Sequence, residues 1–426
     1  MRILMFGWEF PPYISGGLGT ACFGITRALT ELGHEVIFVL PRIKGKKGDV
    51  HVKLLSASEV PFSGWDPVNN DEDDGWWRNL EIRTVTSPLR PYMNEDQYRE
   101  LLAKLGIKGV PPSFELSGDY GPNLLAETWR YGKAAETIAQ SEKFDIIHGH
   151  DWTSVIACVR AKRVSGKPFV YHAHALEFDR SGENINRIVY DLEKYGMAMA
   201  DQVIAVSYYT KNIIINRYGI APEKITVVHN AVSRRESEAL IRSEEKRGEK
   251  IVLFLGRITF QKGPDYFVEA ASLVLNNIAD VRFVMAGSGD MMPQMMERVA
   301  ELQMGAHFSF PGFLRGEDVE RMYAMSDLYV MPSVSEPFGI SPLEAMLYDV
   351  PVIISRQSGV SEILHHALKV DFWNVKELAD KMIALLNYPA LGNEMSERAR
   401  EELKNIRWER AAEKIVSVYR QALKAQ

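Results

Sequence analysis

Short, mainly apolar runs alternate with longer amphipathic ones along most of this chain, and that alternation leaves few architectures open. A strand buried on both faces reads as a continuous apolar run. A helix lying over a sheet shows apolar positions at a period near 3.6. Runs of the first kind stand at 3–6, 36–40, 145–148, 169–172, 202–206 and 225–228, with helical patterns between most of them, as at 20–32 and 124–140. The rhythm breaks over 41–123, where Gly-rich, acidic and aromatic pieces (Asp71, Glu72, Asp73, Asp74, Trp76, Trp77) suit an elaborated loop region with a few strands of its own. It breaks again over 233–249, where ten of seventeen residues are charged, which suits a linker or an exposed edge helix. It then restarts, with strand-like runs at 251–255, 281–286, 328–331 and 352–354. The expected fold class is α/β, with two successive parallel-sheet halves. A last amphipathic helix is expected from Trp408, with Ala411, Ile415, Val418, Tyr419 and Ala422 on its apolar side.

Length and charge exclude several function classes. A chain of 426 residues exceeds one ordinary domain. With Lys+Arg 50 against Asp+Glu 56, the formal charge is -6, which argues against a general affinity for nucleic acid despite the basic run Arg42, Lys44, Lys46 and Lys47. No apolar run reaches the ~18 residues of a membrane span, so membrane association is not expected. The opening residues read as a strand rather than a signal peptide. Two cysteines inside apolar stretches, Cys22 and Cys158, give no disulfide framework and fit a reducing, cytoplasmic setting.

Four segments carry the chemistry. Ser15-Gly16-Gly17-Leu18-Gly19-Thr20 lies between the first strand and the first helix, where glycines admit close backbone approach and free amides attract an anion. Gly256-Arg257-Ile258-Thr259-Phe260-Gln261-Lys262-Gly263 follows a strand of the second half. It places a guanidinium and an ammonium at the sheet edge where open α/β sheets bind ligands. Glu336 and Glu344 flank seven residues; Pro337 and Gly339 put Glu336 in a loop and leave Glu344 on a helix. His148-Gly149-His150-Asp151-Trp152 ends a strand, and the next strand ends in His172 and His174. These side chains suit ligand contact better than metal binding, because no compact zinc spacing is present. The acidic tract at 71–74 reads as solvated loop.

Together these segments resemble the retaining nucleotide-sugar glycosyltransferases of the GT-B fold, particularly the glycogen/starch synthase and group 1 families. Asn230, Gly287-Ser288-Gly289-Asp290 and Pro311-Gly312-Phe313 look like further landmarks. The resemblance implies two Rossmann-like domains facing across a cleft: an acceptor-side domain over 1–232, a linker over 233–249, a nucleotide-sugar-binding domain over 250–405, and a helix over 406–426 that crosses back to the first domain. It implies that His174, Arg257, Lys262 and Glu336 are catalytic. Arg257 and Lys262 hold the diphosphate, Glu336 the transferred sugar, and His174 lies near the anomeric centre. Gly16, Gly17, His150, Asp151, Gly287, Gly289, Gly339 and Glu344 are implied as donor-binding, with Glu344 on the ribose and His150 and Asp151 towards the acceptor. No metal and no cofactor are implied beyond the substrate, ADP-glucose or UDP-glucose, and the acceptor would be a glucan or other sugar. Two positions depart from the pattern: Ile14 replaces a lysine usual in bacterial glycogen synthases, and Ser358-Gly359-Val360 replaces a Gly-Gly pair. A group 1 transferase using another hexose, such as mannose, on a lipid or small molecule is the alternative within the fold. A nucleotide-sugar epimerase of similar architecture is disfavoured by Arg257 and Lys262. A non-catalytic carbohydrate-binding protein would not need those two cations. A dinucleotide-dependent oxidoreductase lacks its Gly-x-Gly-x-x-Gly after the first strand.

Overall fold

The computed structural model describes residues 1–11, 16–43, 50–60, 116, 124–233 and 248–425. Ile14, the 71–74 tract and most of the 41–123 region lie outside the described residues, as do residues 234–247 of the charged segment. The chain divides into two compact units, one formed by Met1–Val228 with Trp408–Gln426 and the other by His229–Arg407.

The first unit is built on seven strands: β1 (Arg2–Phe6), β2 (Glu35–Leu40), β3 (Lys53–Ser56), β4 (Ile146–His150), β5 (Phe169–Ala173), β6 (Gln202–Ala205) and β7 (Ile225–Val227). They pair in the order β3-β2-β1-β4-β5-β6-β7, every pair parallel. The helices that matter below are α1 (Gly17–Glu31), α2 (Leu124–Ser141), α3 (Val155–Ser165), α4 (Glu177–Ser181) and α5 (Arg187–Met199). β4 and β5 are buried at every position, as strands covered on both faces must be. β4 continues two residues beyond the 145–148 run, so His150 is paired within the sheet rather than lying past its end.

The second unit has six parallel strands, β8 (Lys250–Leu255), β9 (Val281–Ala286), β10 (Phe308–Gly312), β11 (Leu328–Met331), β12 (Val352–Ser355) and β13 (Leu368–Val370), ordered β10-β9-β8-β11-β12-β13. Its site is framed by α6 (Pro264–Leu275) and α7 (Ser341–Leu347). Three strands escape the apolar-run pattern: β3, β10 and β13. All three are sheet edges, and each carries partly exposed positions. An edge strand is covered less completely, so its sequence need not be apolar throughout.

The last helix, α8 (Trp408–Lys424), follows the second unit in sequence but belongs to the first. Its expected apolar side, Ala411, Ile415, Val418, Tyr419 and Ala422, is buried throughout. Gly24 on α1 makes room for it. A Cβ at that position would lie 2.3 Å from the Trp408 ring. Gly24→Ala is therefore expected to destabilise the first unit by about 1–3 kcal/mol, the usual range for overpacking. Trimming the ring with Trp408→Leu in the same chain should recover part of that loss. Equal melting temperatures for wild type and Gly24→Ala would mean that the helix does not seat there.

In both sheets the strand order reverses once, between β1 and β4 in the first unit and between β8 and β11 in the second. Ligands of open α/β sheets bind beyond the carboxyl ends of strands at such points. The candidate segments of the sequence lie at these two places.

Candidate functional site

In the second unit, the loop after β8 and the loop after β11 meet. Val334 donates its amide to the Gln261 carbonyl at 3.0 Å, and Ser335 does so at 3.4 Å. Lys262 ends a short 3-10 turn, Phe260–Lys262, and forms an ion pair with Glu336. Ser333 donates its hydroxyl to the same carboxylate at 3.3 Å. Glu336 is nearly buried. Its backbone pairs with Ser358, its amide donating to the Gln357 carbonyl and its carbonyl accepting from the Gly359 amide. The Ser358-Gly359-Val360 segment thus serves as the strut behind Glu336. Arg257 extends from the same loop as Lys262, and its guanidinium donates to the Gln261 side chain at 3.4 Å.

The glycines of this unit answer to backbone crowding. Gly263 has φ +62, and a Cβ there would lie 2.3 Å from the Pro332 carbonyl oxygen. At Gly287 the corresponding distance is 1.8 Å to the Gly256 carbonyl oxygen, and at Gly289 it is 2.1 Å to that of Ile258. Gly287 and Gly289 therefore let the loop after β9 lie directly on the Gly256–Ile258 backbone. Gly339, with φ +98, turns the chain between Glu336 and α7. Glu344 sits in the first turn of α7, as the proline and glycine positions predict, and accepts from the Tyr323 hydroxyl at 3.1 Å. Glu336 and Glu344 are given different partners, the first a lysine and the second a phenol.

In the first unit, Gly16 is the N-cap of α1 and is exposed. A Cβ on Gly16 or Gly17 would meet nothing within 4 Å. The first turn of α1 contains no acidic residue, so the positive end of the helix faces no carboxylate of its own. β4 and β5 bring four imidazoles to one place. His150 is the register partner of His172 across the pair, and alternation puts His148 and His150 on one face. His148 Nδ1 shares a 2.5 Å hydrogen bond with the Tyr419 hydroxyl of α8, and its Nε2 shares one of 3.2 Å with His172 Nδ1. His150 Nδ1 and His174 Nε2 share one of 2.9 Å. Among the described residues, His150 Nε2, His172 Nε2 and His174 Nδ1 are buried without a partner. The His148, His150 and His172 donor atoms lie within 4.8 Å of one another. Here those rings bond to each other and to Tyr419, and His148 has both nitrogens engaged.

Burial makes these four rings neutral. It lowers His148 and His174 to about 3 and holds His150 and His172 well below the ordinary histidine value. Asp151 moves the other way: burial raises it to about 7 against the opposing pull of Arg180 and of two backbone amides. Those amides belong to His174 and Ala175, which donate to Asp151 Oδ1 at 2.6 and 3.2 Å. Glu193 is likewise raised by burial, to about 8. The pH consequence has a definite sign. Each histidine binds its proton near 6.5 when unfolded but not when folded, so stability falls as the pH drops below that value towards about 3. Asp151 and Glu193 contribute stability in acid that is lost as the pH rises from the ordinary carboxylate range up through about 7 and about 8. Four histidines oppose two carboxylates between pH 6 and 5, leaving a net loss of stability as the pH falls. Hydrogen exchange at the β4 and β5 amides should therefore accelerate, beyond its intrinsic pH dependence, when the protein is moved from pH 7 to 5. Constant protection would contradict the buried neutral state.

Three participants carry little sequence signal. Tyr419 lies 271 residues from His148. Ser333 looks like an ordinary polar loop position, and Gln261 stands in the Gly256–Gly263 segment with nothing to mark its contact with Arg257. The pairing of Lys262 with Glu336 spans 74 residues and follows only from the adjacency of β8 and β11.

Comparison with known proteins agrees with this geometry. Residues 236–402 match the family model described as glycosyl transferases group 1, and residues 94–236 match that of glycosyltransferase family 4. An uncharacterized glycosyltransferase of Methanocaldococcus jannaschii is 27% identical, covering 99% of this chain and 99% of its own. The glycogen synthase of Mycobacterium tuberculosis is 24% identical, covering 98% and 94%. Among solved structures, sucrose-phosphate synthase from Thermosynechococcus elongatus superposes with a TM-score of 0.72 at 18% identity, covering all of both chains. The Anabaena protein HepE, solved with UDP-glucose, gives 0.63 at 18% identity, covering 100% of this chain and 99% of its own. The fold is therefore GT-B, with two Rossmann-like units. The chain is similar to the group 1 glycosyltransferases over residues 236–402. No helix among the described residues is long and apolar enough to cross a membrane.

Proposed function

We propose that this glycosyltransferase moves glucose, with retention of configuration, from ADP-glucose or UDP-glucose onto an α-glucan or related sugar acceptor. The observation that carries the reading is the Lys262–Glu336 pair beside Arg257, at the carboxyl ends of β8 and β11. A cation already oriented by a nearly buried carboxylate needs little reorganisation when a diphosphate arrives. In the proposed reaction the bond between the anomeric carbon and the diphosphate oxygen breaks, and the acceptor oxygen bonds to that carbon from the same face. The acceptor proton goes to the departing diphosphate. Lys262 and Arg257 oppose the negative charge that develops on the leaving group, while Glu336 meets the transferred sugar and Glu344 the ribose. The exposed start of α1, with Gly16 and Gly17, is a second set of amides for an anionic or hydroxylic donor group.

His174 is assigned to the transferred sugar, near the anomeric centre. As a neutral imidazole it gives or accepts a hydrogen bond and supplies no positive charge. The proposal uses the donor and the protein's own side chains, with no further cofactor. Glucose is favoured by the full-length similarity to a glycogen synthase and by the fold shared with a UDP-glucose complex.

The test is to incubate the protein with UDP- and ADP-linked glucose and with GDP-mannose, with and without glycogen, following released nucleotide and incorporated sugar. The expected result is incorporation of glucose with an α linkage, read by NMR. Incorporation of mannose alone would overturn the glucose assignment, and an epimerised nucleotide sugar without incorporation would overturn transfer itself.

A further inference from the structure

The segment that carries His174 is held by an unusual number of buried ionisable side chains. Ala175 gives its amide to Asp151 and its carbonyl accepts from Arg180 Nη1 at 3.1 Å. The Leu176 amide donates to Asp179 at 2.8 Å, and the Glu177 amide donates to Glu193 at 3.0 Å. With the His174 amide on Asp151, four successive amides, 174 to 177, end on three buried carboxylates. Arg180 ties the rest together. Its Nε donates to Glu177 at 3.2 Å and its Nη2 to Glu193, which also accepts from the Tyr218 hydroxyl. Glu177 reaches on to the Asn186 amide at 2.8 Å, and Asn186 caps α5.

We propose that Arg180, clamped between Glu177 and Glu193, acts with Asp151 as a set of positioning residues that aim the His174 imidazole. The inference rests on the reading that His174 meets the transferred sugar. A turn of this length is ordinarily held by one short side chain such as Ser, Asn or Asp bonding its own neighbouring backbone. Here Asp151, Glu177, Asp179 and Glu193 are all buried, and two of them, Glu177 and Glu193, pair with one guanidinium. Taking such a set out of water is expensive and rarely adds net stability over an apolar replacement. Asp151 adds a second local penalty, because its φ of 55 with ψ of -179 is a backbone region that residues other than glycine avoid. That conformation is what brings its Oδ1 onto the His174 and Ala175 amides. Rigidity is what the arrangement supplies. His174 has its amide fixed by Asp151 and its ring fixed by His150.

Arg180→Lys tests the idea in the full chain, since an ammonium keeps the charge but lacks the fork that reaches Glu177, Glu193 and the Ala175 carbonyl together. It should lower kcat by about 10–100-fold, the order expected for a sub-ångström to 1 Å misplacement, with the donor KM within about threefold. Leu192→Ala is the control. This wholly buried residue of α5 lies outside the network and should lower the melting temperature without the loss in kcat. Asp151→Asn retains an oxygen for both amides and should keep more kcat than Asp151→Ala. The His174 ring carbon–proton NMR signal, assigned by its absence in His174→Gln, should shift in Arg180→Lys and stay in place in Leu192→Ala. That readout needs no substrate, so it separates this inference from the proposed activity. Equal kcat losses in Arg180→Lys and Leu192→Ala, or an unmoved His174 signal, would overturn the positioning role. If the signal shifts while His174→Gln retains full turnover, the assignment of His174 to the sugar is what fails, and with it the catalytic meaning of the network.

Discussion

Lys262→Ala and Arg257→Ala are each expected to lower kcat by at least about 100-fold, because losing one preorganised donor to a developing anion typically removes ~3 kcal/mol from transition-state stabilisation. The two variants should differ in what else they do. Arg257 is bonded to the Gln261 side chain of its own loop. Lys262 is the ion-pair partner of Glu336, which is only 6% exposed. Its removal leaves a nearly buried carboxylate without its cation, so Lys262→Ala should also lower the melting temperature. Adding Glu336→Gln to Lys262→Ala should restore stability without restoring turnover. Steady-state kinetics with the preferred nucleotide sugar, together with thermal melts of the three variants, check this. Near-normal turnover in folded Lys262→Ala and Arg257→Ala would remove the proposed diphosphate site. A Lys262→Ala protein as stable as wild type would show that the ion pair adds nothing to the fold.

Gly287→Ala should be the most damaging single methyl group in the second unit. Its Cβ would sit 1.8 Å from the Gly256 carbonyl oxygen and 2.9 Å from the Gly256 carbonyl carbon, and both obstacles are backbone. The residue also has φ +146, where a side chain is strained whatever the space. Relief requires the loops after β8 and β9 to separate, and these carry the Gly256 amide on the Ala286 carbonyl at 3.0 Å and the Ile258 amide on the Ser288 carbonyl at 2.9 Å. A cost above about 4 kcal/mol is expected, which lowers the melting temperature by roughly 10 °C or more in a unit of this size. Gly305→Ala is the matched control, since a Cβ there meets nothing within 4 Å. Indistinguishable melts for the two variants would mean that the loops are not packed backbone to backbone. The implied donor-binding role of Gly287 and Gly289 thus comes with a structural requirement that holds whether or not a donor is bound.

The legibility of this chain follows its burial. Interior strands such as β1, β5, β8 and β9 are visible in the sequence because most of their positions are covered on both faces, so their residues are mainly apolar. The edges β3, β10 and β13 hide because one side lacks a neighbouring strand. The apolar side of α8 is equally plain from its spacing, yet nothing local says that it packs on α1 through Gly24 and Trp408. The Lys262 and Glu336 segments declare themselves through glycine and proline placement next to charge. That Lys262 and Glu336 touch does not follow from either segment, since it depends on β8 and β11 being neighbours in the sheet.

The histidines show the same division from the other side. Their i, i+2 spacing on two apolar runs is enough to put His148 with His150, and His172 with His174, at the ends of two successive strands. Their chemistry was decided elsewhere. Burial, complete for His148, His150 and His172, makes the rings neutral, Tyr419 arrives from the far end of the chain to bond His148, and Arg180 with Asp151 sets the backbone that carries His174. By itself, the sequence determined which residues can be buried in strands and helices and which turns can tolerate their backbone, because periodicity and side-chain shape act over a few positions. Only the tertiary structure decided which of the charged and titratable groups are partners and which of them stay neutral. Those outcomes depend on distance and on exclusion of water, and both are set by residues far apart along the chain.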